Sequence, residues 1–214
     1  MRRKLVIIGL AFVVLSLGST TFYRVFFLHF VRIPTGSMAN TILPGDYLVV
    51  KKRAFGDINR GDLIVFSYPG DPSTYYLSRV IGLPGETLEV RGRNLYTADK
   101  QLMEQRVTVK PDDLIESDHM EELATEGTGN YRVFYQTTDD SIAQDDRTKG
   151  PFRIPKNQYF VMGDNRDNSE DSRYRGAVPR ELIFGKPFMI YWSSKNDRAG
   201  VERIRLDRVF SWVK

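Results

Sequence analysis

Ile33-Pro-Thr-Gly-Ser-Met-Ala-Asn-Thr-Ile-Leu-Pro-Gly-Asp-Tyr-Leu-Val-Val50 is the stretch on which the reading of this chain turns. It follows a long apolar run and ends in the β-branched pattern of a strand. Between the two lies Thr35-Gly36-Ser37-Met38, where the glycine permits a tight turn. A serine on such a turn exposes its hydroxyl and leaves nearby backbone N–H groups free to stabilise an oxyanion. The same Gly-Ser pair is also the ordinary make-up of a structural turn, so the rest of the chain has to decide between them.

Working back from this stretch, residues 5–23 are 19 positions without a charge, preceded by Met1-Arg2-Arg3-Lys4. As a helix they reach about 28 Å at 1.5 Å per residue, close to the roughly 30 Å of a bilayer's hydrocarbon core. A cleaved signal peptide is the alternative, since the first part of the run resembles its apolar region. No A-x-A site follows, and Phe22, Tyr23, Phe26 and Phe27 occupy the downstream ground. The run therefore reads as a retained anchor, with residues 1–32 as anchor and flank and 33–214 as the outer domain. Its basic start predicts a cytoplasmic N-terminus and a single pass of the cytoplasmic membrane. Ser37 then stands a few residues beyond the outer face of the bilayer.

Charge follows the same division. Residues 1–32 hold five basic side chains and no acidic one, and removing their +5 from the formal net charge of +4 leaves −1 for the remainder. The basic excess belongs to the membrane end, so nothing here suggests a nucleic-acid partner. The absence of cysteine excludes disulfides and thiolate metal sites.

Beyond Val50 the chain reads as strands: 47–51, 62–68, 75–81, 159–162 and 188–192, with a hairpin of 87–91 and 93–96 around Gly92. No segment sustains a 3.6-residue apolar period, which predicts a mainly β domain closed or nearly closed into a barrel. Residues 110–150 are rich in Asp and Glu, hold one clear strand at 131–136, and read as a solvated insertion. Residues 201–214 alternate charged and apolar positions, as a terminal strand or a short surface helix does.

A second chemical cluster is Gly163-Asp-Asn-Arg-Asp-Asn-Ser-Glu-Asp-Ser-Arg-Tyr-Arg-Gly176. A calcium loop starting at Asp167 fails, because Ser172 stands where the turn glycine belongs and Val178 where the bidentate acid belongs. Asp171 and Arg173 are two apart and share a face if the segment is extended, where they can pair and steady a neighbouring catalytic strand.

Three ordered motifs after an N-terminal anchor now stand together: Thr35-Gly-Ser-Met, Arg79-Val-Ile-Gly-Leu-Pro-Gly85 and Gly163-Asp-Asn-Arg-Asp-Asn-Ser-x-Asp-Ser-Arg173. In these the chain resembles bacterial type I signal peptidase, the leader peptidase family, from the anchor to about residue 192. The resemblance implies a membrane-bound serine endopeptidase with a β-barrel-like catalytic domain, acting on the signal peptides of exported preproteins after small residues at −1 and −3. It places Ser37 on the nucleophile, Thr35 on the hydroxyl that assists the backbone oxyanion hole, and Ser169 on the serine that hydrogen-bonds the general base. Asp171 and Arg173 fall on a structural pair, and 110–150 on the family's variable insertion. No metal or organic cofactor is implied, because a serine nucleophile with a side-chain base needs none.

The chain departs from the pattern twice. Asn40 replaces a proline of the first motif. Ser78 stands immediately before Arg79-Val-Ile-Gly, at the general-base position that is lysine in the bacterial family and histidine in the endoplasmic-reticulum relatives. A serine hydroxyl does not take up a proton at neutral pH, and a positioned base contributes typically 10²–10⁴-fold. Substitutes to consider are His29, His119, Lys51 and Lys52. The alternatives are a weak or inactive relative that binds signal peptides or export partners, and, outside the family, an anchored β domain whose serine turn is structural.

Overall fold

In the computed structural model, Ser16 and residues 27–52, 56–98, 100–110, 120–136, 149–197 and 199–213 are described. The strands in chain order are β1 (Leu28–Arg32), β2 (Asp46–Lys52), β3 (Leu63–Tyr68), β4 (Asp71–Gly82), β5 (Thr87–Arg91), β6 (Asn94–Thr97), β7 (Lys100–Gln101) and β8 (Gln105–Val109). They continue as β9 (Glu122–Glu126), β10 (Arg132–Tyr135), β11 (Lys149–Arg153), β12 (Gln158–Met162), β13 (Val178–Pro179), β14 (Ile183–Asn196), β15 (Glu202–Ile204) and β16 (Ser211–Trp212). One helical turn, α1 (Ser172–Arg175), and three short 3₁₀ turns complete the described elements. The protein is mainly β, as the alternating sequence pattern predicts.

The main sheet runs β1-β2-β14-β3-β4-β12-β13, with β15 and β16 added along β14. The order is open between β1 and β13, so among the described residues the sheet does not close into the expected barrel. Two smaller sheets, β10-β8-β9 and β11-β5-β6-β7, take up hydrogen-bonding capacity away from the main path. The predicted hairpin around Gly92 is the β5–β6 pair.

Period-two alternation explains the core. Every residue of β3 is buried, because its two faces meet different clusters. Leu63 and Val65 pack with Ile33, Met38, Ile42, Leu48, Val50, Leu77 and Ile190. Ile64, Phe66 and Tyr68 pack with Ile58, Val80, Tyr159, Val161, Val178 and Ile183 on the other. Each fully buried aliphatic or aromatic side chain of this kind contributes about 1.5–3 kcal/mol. Pro187 pairs with Val50 of β2 just before a register shift in the β14–β2 ladder, the kind of irregularity at which proline is found within sheets.

The predicted anchor, residues 5–23, lies outside the described residues except for Ser16, and among the described residues no helix is long and apolar enough to cross a membrane. Leu28–Arg32, in the anchor's predicted flank, is strand β1 and pairs antiparallel with β2. Of the acidic section, 111–119 and 137–148 also lie outside the described residues. What is described divides in two: β9 is wholly exposed, as a solvated segment should be, whereas Met120 and Phe134 are buried with Ala39, Leu43, Val107 and Val109. Residues 201–213 supply two short strands and a 3₁₀ turn.

Candidate active site

The loop from Ile33 to Asp46 joins β1 to β2 and is pinched at its neck, where Ile33 N–H donates to Asp46 O at 2.9 Å and Gly45 N–H to Ile33 O at 2.8 Å. Asp46 is fully buried and is held by Ser193 Oγ at 2.6 Å and by the guanidinium groups of Arg208 and Arg205. Arg205 also donates to Pro44 O at 2.6 Å, and Arg208 to Thr41 O at 3.1 Å. The C-terminal stretch, whose sequence gave no role, thus locks the base of the serine loop.

Within the loop, Ala39 N–H donates to Gly36 O, and Met38 O accepts from both Thr41 and Ile42. Ser37 stands half-buried at the start of this turn, while Met38 and Ala39 behind it are buried. Thr35 Oγ1 lies 3.4 Å from Ser37 Oγ, long for a hydroxyl pair. Among the described residues the Ser37 N–H has no hydrogen-bond acceptor and its hydroxyl no partner besides Thr35. An uncommitted N–H beside a nucleophilic oxygen is what an oxyanion hole requires.

The third motif, residues 163–173, docks on this turn. Asn165 donates from Nδ2 to Gly36 O at 2.9 Å and from its N–H to Ser37 O at 3.1 Å. Gly163 is needed for close approach: a Cβ there would stand 2.2 Å from Ser169 Oγ and 2.6 Å from Ser37 O. Asp164, fully buried, accepts from Thr41 Oγ1 at 2.7 Å and from Arg79 at 2.8 and 2.6 Å. Burial alone would lower the Arg79 pKa, but the Asp164 carboxylate outweighs it and holds the guanidinium above its ordinary value. Arg79 also lies 4.8 Å over the Tyr131 ring, and Tyr131 donates to Glu104 at 3.0 Å. Glu104 forms a second buried pair with Arg166, whose Nε reaches Gly163 O at 3.3 Å.

Asp171 and Arg173 do pair, at 2.8 Å through both oxygens, but not as neighbours on an extended strand. Asp171 caps α1, accepting from Arg173 N–H, and its other oxygen takes the Gly163 N–H at 3.0 Å. Side-chain capping brings the two together where strand alternation was expected to.

Ser37, Thr35, Ser78 and Ser169 line one cleft of about 680 Å³, shared with Val31, Ile33, Val65, Tyr75, Leu77 and Tyr174. Ser78 lies on β4, opposite Ile64 of β3 in the ladder, and is 5 % exposed. Of the considered substitute bases, the described His29, Lys51 and Lys52 make no hydrogen bond to Ser37. Lys51 and Lys52 border a separate small cavity with Ile58 and Arg180. His29 packs edge-on against Phe184 and Tyr75, with ring centroids 4.7 and 5.7 Å away. His119 lies outside the described residues. Sequence reasoning missed Asp164 and Asn165 as tethers, although both lie inside a quoted motif. Glu104 had no signal at all, being a lone acid 62 positions from its arginine.

The sequence matches the family described as signal peptidase, peptidase S26, over residues 3–192. It is 34 % identical over 201 residues to a signal peptidase I of Pseudomonas fluorescens, covering 79 % of this chain and 66 % of that one. A signal peptidase I of Rickettsia typhi is 32 % identical, covering 87 % of this chain and 86 % of the other. A crystal structure of a signal peptidase I from Enterococcus faecalis matches 62 % of this chain and 98 % of its own at 27 % identity, with a TM-score of 0.37. At that TM-score the likeness adds nothing to the assignment. The motif order, the serine-lined cleft and the sequence matches define a peptidase-family protein. The chain belongs to the signal peptidase family, peptidase S26.

Proposed function

We propose that this protein is a membrane-anchored serine endopeptidase that removes signal peptides from exported preproteins after small residues at −1 and −3. The observation that carries the reading is the Ser37 turn, with its free N–H, opening onto a cleft whose apolar lining suits a peptide. Ser37 Oγ attacks the carbonyl carbon of the −1 residue and gives up its proton to solvent in the cleft. The peptide C–N bond then breaks, the mature chain leaves as a protonated amine, and water hydrolyses the Ser37 ester to release the signal peptide as a carboxylate. The Ser37 N–H and the Thr35 hydroxyl stabilise the oxyanion. Ser169 packs against Gly163 beside the Ser37 carbonyl, and the Asp171–Arg173 pair steadies Gly163 behind it.

Residues 5–23 cross the cytoplasmic membrane with the N-terminus inside, and residues 33–214 form the outer domain, with about 110–150 as its variable section. Exposed apolar side chains beside the serine loop support a place next to the bilayer: Phe30 on β1, and Trp192, which pairs with Tyr47 of β2. The membrane and the preprotein are the partners of this reading.

The expected result is cleavage of a preprotein after A-x-A by the full chain purified in detergent, and its abolition by Ser37→Ala. Cleavage that survives Ser37→Ala removes Ser37 from the mechanism. One observation favours a second reading, a relative that binds signal peptides and cleaves them weakly: Ser78 supplies no base, and no basic side chain among those described hydrogen-bonds the Ser37 hydroxyl.

A further inference from the structure

The tethers described so far hold the Ser37 turn to residues 163–165 and to the C-terminal arginines. Another comes from outside every motif. Asn40 has φ +69°, a left-handed conformation that asparagine tolerates better than other residues with a side chain. Proline, with φ locked near −65°, cannot adopt it. The Asn40 carboxamide accepts from the Met120 N–H at 2.8 Å and donates to Met120 O at 3.1 Å. One side-chain amide thereby satisfies both backbone polar groups of a single residue, as a neighbouring strand would. The Met120 side chain is buried in the cluster that includes Ala39 and Leu43, so the contact joins the serine loop to the β8–β10 unit by both hydrogen bonds and packing.

We propose that Asn40 is a positioning residue for Ser37. Its left-handed backbone lies inside the turn in which Met38 O accepts from Thr41 and Ile42, and its carboxamide anchors that turn to Met120. With the middle of the turn fixed, the directions of the Ser37 hydroxyl and of its free N–H are fixed three residues earlier. The site uses what lies at position 40 in place of a rigid ring: a left-handed residue whose order is imposed from across the molecule. This proposal rests on Ser37 being the nucleophile.

Three substitutions separate the parts. Asn40→Gly keeps the left-handed backbone and removes the clamp. Asn40→Asp keeps the acceptor for Met120 N–H and loses the donor. Asn40→Ala loses both the clamp and the ease of the backbone conformation. The test uses the full chain in detergent, with amide hydrogen exchange and preprotein cleavage as parallel readouts. In Asn40→Gly, amides of residues 39–42 are expected to exchange roughly tenfold faster while those of β3 and β12 keep their rates. The kcat falls by about tenfold at unchanged KM, since small misplacements of a reacting group are costly. Asn40→Asp falls between Asn40→Gly and wild type, and Asn40→Ala is at least as impaired as Asn40→Gly. Unchanged exchange at 39–42, or acceleration spread evenly over all strands, overturns the proposal, as does an unaltered kcat. Equal cleavage by wild type and Ser37→Ala strikes at the peptidase reading alone, and the exchange comparison still decides the clamp.

Discussion

The two flanks of the cleft are built to different standards. On one side the Ser37 turn is held by Asn165 at Gly36 and Ser37, by Asp164 at Thr41, and by Met120 at Asn40. On the other, Ser78 ends in a hydroxyl with no hydrogen-bond partner among the described residues, beside an Arg79 that is buried and fully engaged. A nucleophile turn is a backbone object, and its oxyanion donor works only when rigidly aimed, so several tethers are needed. A general base is one side chain, and a single substitution removes it while the surrounding fold stays intact. The frame of the site and the proton chemistry within it can therefore part company.

The strongest way to break this contrast is Ser78→Lys. If the frame is complete and only the base is absent, cleavage should rise by about 10²–10⁴-fold, measured as kcat/KM on an A-x-A preprotein. No gain would mean that the turn itself is misassembled or that the amine cannot be seated. Asp164→Ala probes the frame: it leaves Arg79 buried without its carboxylate and Thr41 without its acceptor. Removal of one partner from such a pair costs about 3–5 kcal/mol, to be read from denaturant unfolding. Gly163→Ala sharpens the same side at smaller cost, about 1–3 kcal/mol for a methyl forced against Ser169 and the Ser37 carbonyl. It should depress cleavage further than its stability loss explains.

The smallest effect concerns His29, near the rim. Burial first, and Lys52 second, lower its pKa below 6.5 in the folded protein. The unfolded chain therefore binds the proton more readily, and stability falls as pH drops through 6.5 and below, with no contribution above it. Comparing Tm at pH 7.5 and 5.5, wild type should lose slightly more than His29→Gln. An equal loss would show that the imidazole does not sense its aromatic contacts with Tyr75 and Phe184.

Much of this was legible from short-range pattern. The strands at 47–51, 62–68, 75–81 and 159–162 are present because period-two alternation and β-branched residues act locally. Strand β1 was hidden because its residues continue the composition of the apolar segment before it, and only pairing with β2 distinguishes them. Barrel closure was not legible either, since whether the edges of a sheet meet depends on twist and register summed over many strands. Among the site residues, Ser37, Thr35 and Ser169 stood out through their motifs. The partners that hold them did not, because Asp164–Arg79 and Asn40–Met120 span 85 and 80 positions.

By itself, then, the sequence determined the family and the β character and marked Ser37 as the proposed nucleophile, because each is written in contiguous residues whose chemistry is local. It also determined that position 78 carries no base. Only the tertiary structure decided how the turn is held: that Asp171 caps a helix, that the C-terminal arginines lock Asp46, and that Asn40 reads the backbone of Met120. Those contacts exist because buried polar groups must find partners wherever the packed chain happens to bring them, and no local pattern records that meeting.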